Sequence, residues 1–305
     1  MSSQRPASII IRDFLNKSSI SSEDIAFQIA PRINSAGRLE DASIALDFFI
    51  SDNINTAYNQ FELLGKLNDL RKETEAECTK EAMAMADSNA DVIVVANENW
   101  HEGVVGIVAA RLVDKFGRPA IVLSIKDGVA KGSARSIGEV SIYELIKANE
   151  HLLTKFGGHK MAAGLGLLEE NIEKFTKEIN QTASLLDPKD FEPKEALTGI
   201  LNSDDIDLEL LNLLETFEPY GEANLRPRFL VQDAEVISIK LMGKDKSHSR
   251  IEIKQNPHER KTLELIAFRT VYEMPESRKI TCSYTVAKNE FNNRVSAQLL
   301  VNKIH

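Results

Sequence analysis

Residues 156–164 read Phe-Gly-Gly-His-Lys-Met-Ala-Ala-Gly, and the reading of this stretch decides the fold of the domain around it. Two adjacent glycines set bare backbone beside a histidine, and small residues follow up to Gly164. Backbone that must approach a phosphate closely uses glycine, because any Cβ would stand in the way. His159 adds a ring N–H donor. The plain alternative is a tight turn into a buried strand, with His159 as a satisfied core histidine.

Two upstream segments shift the balance toward a phosphate pocket. Asn99-Trp-His-Glu-Gly-Val-Val-Gly-Ile107 lies between a β-branched apolar run, 91–96, and the helically spaced residues 108–116. That is a strand, a loop and a helix start, and helix starts present free N–H groups and a favourable dipole to anions. Lys131-Gly-Ser-Ala-Arg-Ser136 brings two hydroxyls and a guanidinium suited to bidentate phosphate contact. Three small, polar segments within 66 residues point to one shared pocket.

The surrounding pattern alternates. Expected strands are 91–96, 119–124, 129–135 and 161–167, and expected helices are 104–116, 141–148 and 171–186. Such alternation predicts an α/β domain with a sheet between helices and its ligands at loops beyond strand ends. Ahead of it, 53–88 contains no proline and one glycine, and Ala57, Phe61, Leu64, Leu67 and Leu70 recur at helical steps. The apolar stripe fades after Leu70, which favours a connecting helix over a coiled coil. Ser21 to Asp24 offers an N-cap followed by acids, and 42–50 is an apolar helical stretch. After an acidic helix at 205–216 come β-patterned segments at 228–231, 234–240, 249–253, 262–268, 279–287 and 294–301, the pattern of a small barrel.

In this order and spacing, the segments 100–107, 131–136 and 156–164 resemble the DHH-associated domain of the RecJ family of single-stranded-DNA-specific 5'→3' exonucleases. Ala30-Pro-Arg-Ile-Asn-Ser-Ala-Gly-Arg-Leu39 is similar to the end of that family's catalytic DHH domain, and 217–229 to the entry of its oligonucleotide-binding barrel. The resemblance runs from about residue 25 to the C-terminus. It implies an α/β fold: residues 1–52 as a remnant of the DHH domain, 53–88 as connecting helix, 89–190 as the DHH-associated phosphate-binding domain, and 196–305 as an OB-like single-strand-binding barrel.

The resemblance also implies roles. His159 is the expected catalytic residue, holding the scissile phosphate with Gly157, Gly158 and Gly164, while Arg32, Asn34, Arg38, His101, Ser133, Arg135 and Ser136 bind substrate. In the barrel, Arg250, Lys254, Arg269 and Lys288 are expected on the nucleic-acid backbone, with Phe229, Phe268, Tyr272, Tyr284 and Phe291 available for stacking or core. The implied partners are single-stranded DNA and a single-strand-binding protein or repair helicase.

One departure matters. The family's metal ions sit on aspartates and an Asp-His-His motif, and none of the six histidines here adjoins another. No carboxylate cluster with metal-site spacing occurs in the first 50 residues. The expectation is therefore a C-terminal portion that binds nucleic acid and does not cut it, with no metal of its own. Mn or Mg is expected in the full-length enzyme. Two other readings stay open: a non-catalytic single-strand-binding module, and a small-nucleotide or oligoribonucleotide phosphodiesterase of the same superfamily, which would not need residues 196–305.

Composition agrees with a cytoplasmic, two-domain protein. Cys78 and Cys282 are too few and too separated for a disulfide framework or a zinc site. Neither a secretion signal nor a membrane span is expected. The net charge of −9 is uneven: residues 226–305 carry +6 and the remainder −15, which places the basic surface in the barrel.

Overall fold

The computed structural model describes residues 5–17, 20–221, 223–243, 245–256, 261–291 and 294–305. The chain divides into two compact units, residues 1–194 and 195–305.

The first unit begins with packed helices: α1 (Pro6–Leu15), the short turn α2 (Ser22–Asp24), a π-helical segment Ile25–Ile29, α3 (Ala30–Leu39), α4 (Ser43–Ile50) and the 32-residue α5 (Ile54–Met85). The predicted cap at Ser21 is a reciprocal capping box. Its hydroxyl accepts from the Asp24 N–H, and the Asp24 carboxylate accepts from the Ser21 N–H. Phe48, Phe61, Leu64 and Ile29 form the core between these helices. The π-helical segment was not expected from the sequence.

The α/β part follows as β1 (Ile93–Asn97), α6 (Val105–Phe116), β2 (Ala120–Lys126), β3 (Val129–Arg135), α7 (Ile142–Ala148), β4 (Leu153–His159), β5 (Ala162–Leu168) and α8 (Ile172–Ala183). The strands form one sheet in the order β1-β2-β3-β5-β4, with only β1 and β2 parallel. Two expectations are corrected here. The Gly-Gly-His stretch is a strand, not a turn, because its backbone pairs along β5 with Gly157 opposite Gly164 and His159 opposite Ala162. The Lys131–Arg135 motif runs along β3, the strand expected over 129–135, so it borders the sheet face, and the expectation of ligands at loops beyond strand ends is the one corrected.

Alternation sorts the residues between the two sheet faces. Ile121, Leu123, Ala130, Ala134, Ala163, Leu165 and Leu167 pack under α7 and α8 with Phe175 and Ile179. On the other face, Ala120 and Val122 pack with Ile93 and Val95 under α6. Each fully buried Leu or Ile of these layers contributes roughly 1.5–3 kcal/mol. Asn180 of α8 clamps the approach to β1, its amide exchanging hydrogen bonds with the Val92 N–H (2.9 Å) and C=O (3.0 Å).

The second unit holds α9 (Leu208–Glu215) and a closed barrel of β6 (Phe229–Met242), β7 (His248–Lys254), β8 (Leu263–Ala267), β9 (Lys279–Phe291) and β10 (Arg294–Ile304), ordered β10-β8-β7-β6-β9. The expected fold class, an α/β domain followed by an OB-like barrel, is the one observed. The segments 228–231 and 234–240, expected as two strands, are one strand with an irregularity between Val231 and Ala234. The barrel core holds Val231, Ile251, Leu265, Cys282, Tyr284 and Val286, joined by Leu211 from α9.

Candidate phosphate site on the open sheet face

α6 covers β1 and β2 and reaches β3, and among the described residues no helix of the hydrophobic clusters packs on the same face of β5 and β4. Register makes this bare area legible row by row. Arg135, Ala162 and His159 stand opposite one another across β3, β5 and β4, as do Ser133, Gly164 and Gly157, and Lys131, Gly166 and Lys155. The middle strand thus presents Ala162, Gly164 and Gly166, a floor without a side chain beyond a methyl group. Hydroxyl and basic side chains flank it on both sides.

The glycines fall into two groups. A Cβ on Gly132 would meet the Val122 carbonyl at 2.4 Å, so packing alone explains it. Gly158 has φ +149°, and a Cβ there would meet the Ala163 Cα at 2.5 Å, so backbone geometry explains it too. Gly157 has nothing within 4 Å of a Cβ, and for Gly164 the nearest atom is the Gly132 carbonyl at 3.8 Å. Among the described residues, no neighbouring atom requires glycine at these two exposed positions, so both leave open backbone on this face.

At the β3 side of the floor, Arg135 donates to the Ser133 hydroxyl (2.9 Å) and to the Ala134 carbonyl (2.8 Å). Gly106, in the first turn of α6, leaves room for both: a Cβ there would lie 3.0 Å from the Ser133 Oγ and 3.1 Å from an Arg135 nitrogen. The helix has no side-chain cap, so its first N–H groups and dipole add to the positive field. Arg38 reaches the same place and donates to the Gly103 carbonyl at 2.9 Å. Burial, and then the charge of Arg38, hold the Arg135 guanidinium below its ordinary value. Among the described residues, neither arginine has a carboxylate partner. His101 Nδ1 accepts from the Gly103 N–H (3.0 Å), which leaves Nε2 as the donor of the neutral ring.

The structure therefore brings together Arg38, His101, Ser133 and Arg135, next to a floor holding Gly157, Gly164 and His159. It does not bring in Arg32, whose guanidinium stacks over Phe14 (4.4 Å) and Phe61 (5.3 Å). Asn34 is exposed on α3 with no side-chain hydrogen bond in the described set. Ser136 is buried, and its hydroxyl donates to the Val140 carbonyl (2.6 Å), so it shapes the turn after β3. Sequence reasoning missed Glu81 and Trp100. The indole N–H donates to Glu81 of α5 (2.7 Å), and the Trp100 carbonyl accepts from Ser124 of β2 (2.5 Å), which fixes the loop that carries His101. It also missed Lys131 and Lys155, although the alternation Lys131, Ser133, Arg135 marks one strand face.

In the barrel, Arg250 pairs with Glu264 (2.9 Å) and Lys288 with Glu215 (3.7 Å). Lys254 is half-buried opposite Glu235. Arg269 is exposed, and its N–H donates to His248 Nδ1 (2.8 Å). Phe229 and Tyr284 are core, Tyr272 packs against that core, and the Phe291 side chain lies outside the described residues. Phe268 is 57 % exposed, with its ring edge-to-face with His248 at 5.4 Å. Among the described residues, no three His, Cys, Asp or Glu side chains are placed to hold a metal ion, and no helix is long and apolar enough to cross a membrane.

Residues 89–185 match the DHHA1 domain model and residues 198–303 the RecJ OB domain model. The single-stranded-DNA-specific exonuclease RecJ of Bacillus subtilis is 35 % identical over 92 % of this chain and 36 % of its own length. The protein of the same name from Haemophilus influenzae is 32 % identical over 95 % of this chain and 53 % of its own. The crystal structure of Thermus thermophilus RecJ with Mn2+ superimposes with a TM-score of 0.86 at 26 % identity, covering 99 % of this chain and 44 % of that one, and the form with Mg2+ gives 0.85. The chain thus spans about a third to a half of the length of the relatives it matches. With its glycine-floored sheet in a segment that matches the DHHA1 domain and its barrel in one that matches the RecJ OB domain, the chain is homologous to part of the RecJ exonucleases over most of its own length.

Proposed function

We propose that this chain is the substrate-gripping part of a single-stranded-DNA-specific 5'→3' exonuclease of repair and recombination, working in the cytoplasm. The observation that supports the reading is the pair Arg38 and Arg135: two guanidiniums that, among the described residues, have no carboxylate partner, at the lip of a floor of open glycines. Arg135, Ser133 and Arg38 hold a terminal 5' phosphate or a neighbouring backbone phosphate by charge-assisted hydrogen bonds. Gly157 and Gly164 let a phosphate lie on the strands, Gly158 holds the backbone conformation beside them, and His159, in the Arg135 row, donates to the phosphate and offsets charge that develops there. Asn34 and His101 are further donors to the same chain of phosphates. Arg32 and Ser136 belong to the supporting structure. The barrel contributes Phe268 as a stacking face and Arg269 as a cation, with Arg250, Lys254 and Lys288 on the backbone.

Among the described residues, no cluster of side chains fits a metal site, and no step of cleavage is assigned to them. Mn2+ or Mg2+, seen in the Thermus relative, is proposed for the complete nuclease. A single-strand-binding protein or repair helicase is the proposed protein partner. The closed barrel favours this reading over a small-nucleotide phosphodiesterase, because a mono- or dinucleotide gains nothing from a second binding domain.

Fluorescence anisotropy with 5'-phosphorylated and 5'-hydroxyl single strands, a duplex control and Mn2+ present tests the reading, with the products run on a gel. Tighter binding of the 5'-phosphorylated strand, lost in Arg135→Ala, is expected. Equal binding of both strands and of duplex by the folded wild type overturns it.

A further inference from the structure

We infer that Lys131 and Lys155 form a second phosphate subsite at the far end of the glycine floor, so that the sheet takes a run of phosphates and not one. This rests on the reading of the floor as a nucleic-acid surface. The two lysines stand in the same row on either side of Gly166. The Lys155 stem crosses the middle strand, with its Cγ 3.2 Å and its Cε 3.3 Å from where a Gly166 Cβ would be. Both lysines line one depression of about 350 Å3, together with Gly132, Phe156, Gly157, Gly164 and Leu165. The open glycines are therefore the floor of a groove with a basic pair at each end: Arg135 and His159 at one, Lys131 and Lys155 at the other.

The charges agree. Lys155 has no ion pair among the described residues. Lys131 has Glu102 at 3.6 Å, and both side chains are more than half exposed. An exposed pair of this kind is worth little and is readily exchanged for a phosphate.

Spacing gives the subsite its specificity. Lys131 and Arg135 are four residues apart on an extended strand, roughly 13 Å at about 3.3 Å per residue. A stacked strand rises about 3.4 Å per nucleotide, so the two ends meet phosphates about three to four nucleotides apart, fewer if the strand is stretched. A dinucleotide that occupies the Arg135 end does not reach the lysines. An oligomer of eight does.

The test uses the full chain, wild type and three variants: Lys131→Ala with Lys155→Ala, Arg135→Ala, and Lys174→Ala with Lys177→Ala on α8, against the opposite sheet face. Binding of a 5'-phosphorylated octathymidylate is followed by anisotropy over a range of salt, and a 5'-phosphorylated dithymidylate serves as competitor. The Lys131/Lys155 variant should bind the octamer at least about tenfold more weakly, with a salt slope lower by about 1.4, the value for two contacts on a single strand. Its competition by the dinucleotide should be unchanged, and the α8 control should match wild type. Octamer binding at the wild-type level by the lysine variant, with Arg135→Ala still weakened, overturns the subsite and leaves the functional reading standing. Equal losses for dinucleotide and octamer, or an equal loss in the α8 control, reduce the lysines to general charge and also overturn it. Failure of the wild type to bind either oligomer overturns both.

Discussion

The guanidinium of Arg38, near the end of α3, donates to the Gly103 carbonyl just ahead of α6. In return, Gly103 must be glycine, because a Cβ there would fall 2.0 Å from the Arg38 carbonyl. A helix from the first 40 residues is thus keyed to the loop that leads into α6. Arg38→Ala should weaken binding of 5'-phosphorylated single strands at least about tenfold, the loss of a charge-assisted contact. Arg38→Lys should not restore it, since an ammonium cannot replace the planar fork. Anisotropy titrations of the three proteins check this.

The two classes of glycine predict opposite phenotypes. Gly164→Val places its side chain over an open floor on a strand, so the melting temperature should hold or rise slightly, while oligonucleotide binding falls. Gly132→Ala drives a methyl into the Val122 carbonyl and Leu123, which should destabilise the domain by about 1–3 kcal/mol. Thermal melts paired with binding curves separate the two.

Both cysteines should be silent in the native protein. Burial pushes the thiols of Cys78 and Cys282 up to about 12, with Glu81 adding to the first and Glu195 to the second. A thiol reagent at pH 8 should label neither residue until denaturant is added, as mass spectrometry would show.

Tyr284 is fully buried in the barrel, and its hydroxyl lacks a partner among the described residues. Its pKa is raised, first by burial and then by Cys282. Removing an unsatisfied hydroxyl without leaving a cavity should stabilise the barrel, so Tyr284→Phe is expected to gain about 1 kcal/mol in denaturant unfolding.

Asp24 sets an acid limit on the N-terminal helices. Its hydrogen bond from Lys17, then that from the Ser21 N–H, lower its pKa from 3.8 to about 2. A depressed folded pKa means stability that is present above about 4 and is lost as pH falls toward 2. Asp24→Asn should flatten the dependence of melting temperature on pH across that window.

Periodicity made much of this legible. The α/β alternation, the long helix and the barrel follow from apolar spacing, and the Ser21 cap follows from local chemistry. The Gly157-Gly158 strand was hidden because glycine has no preference for extended structure, and only pairing with β5 holds it there. Ser136 looked like a ligand in the one-dimensional motif, yet the turn after β3 points its hydroxyl inward to Val140. Arg32 looked like one too, until Phe14 and Phe61, far apart in sequence, closed around it. Lys155 escaped notice because its partner Lys131 is two strands away, a proximity that register creates and spacing along the chain does not reveal.

A sheet face left bare has a thermodynamic consequence. A domain with two covered faces has nothing left to gain from a visitor, whereas here the apolar burial of β5 and β4 is confined to one side. Whatever lies on the open side adds its binding free energy to the folded state alone, so occupancy should register as a rise in melting temperature that grows with ligand concentration. The groove makes the fold its own reporter of whether a strand is present.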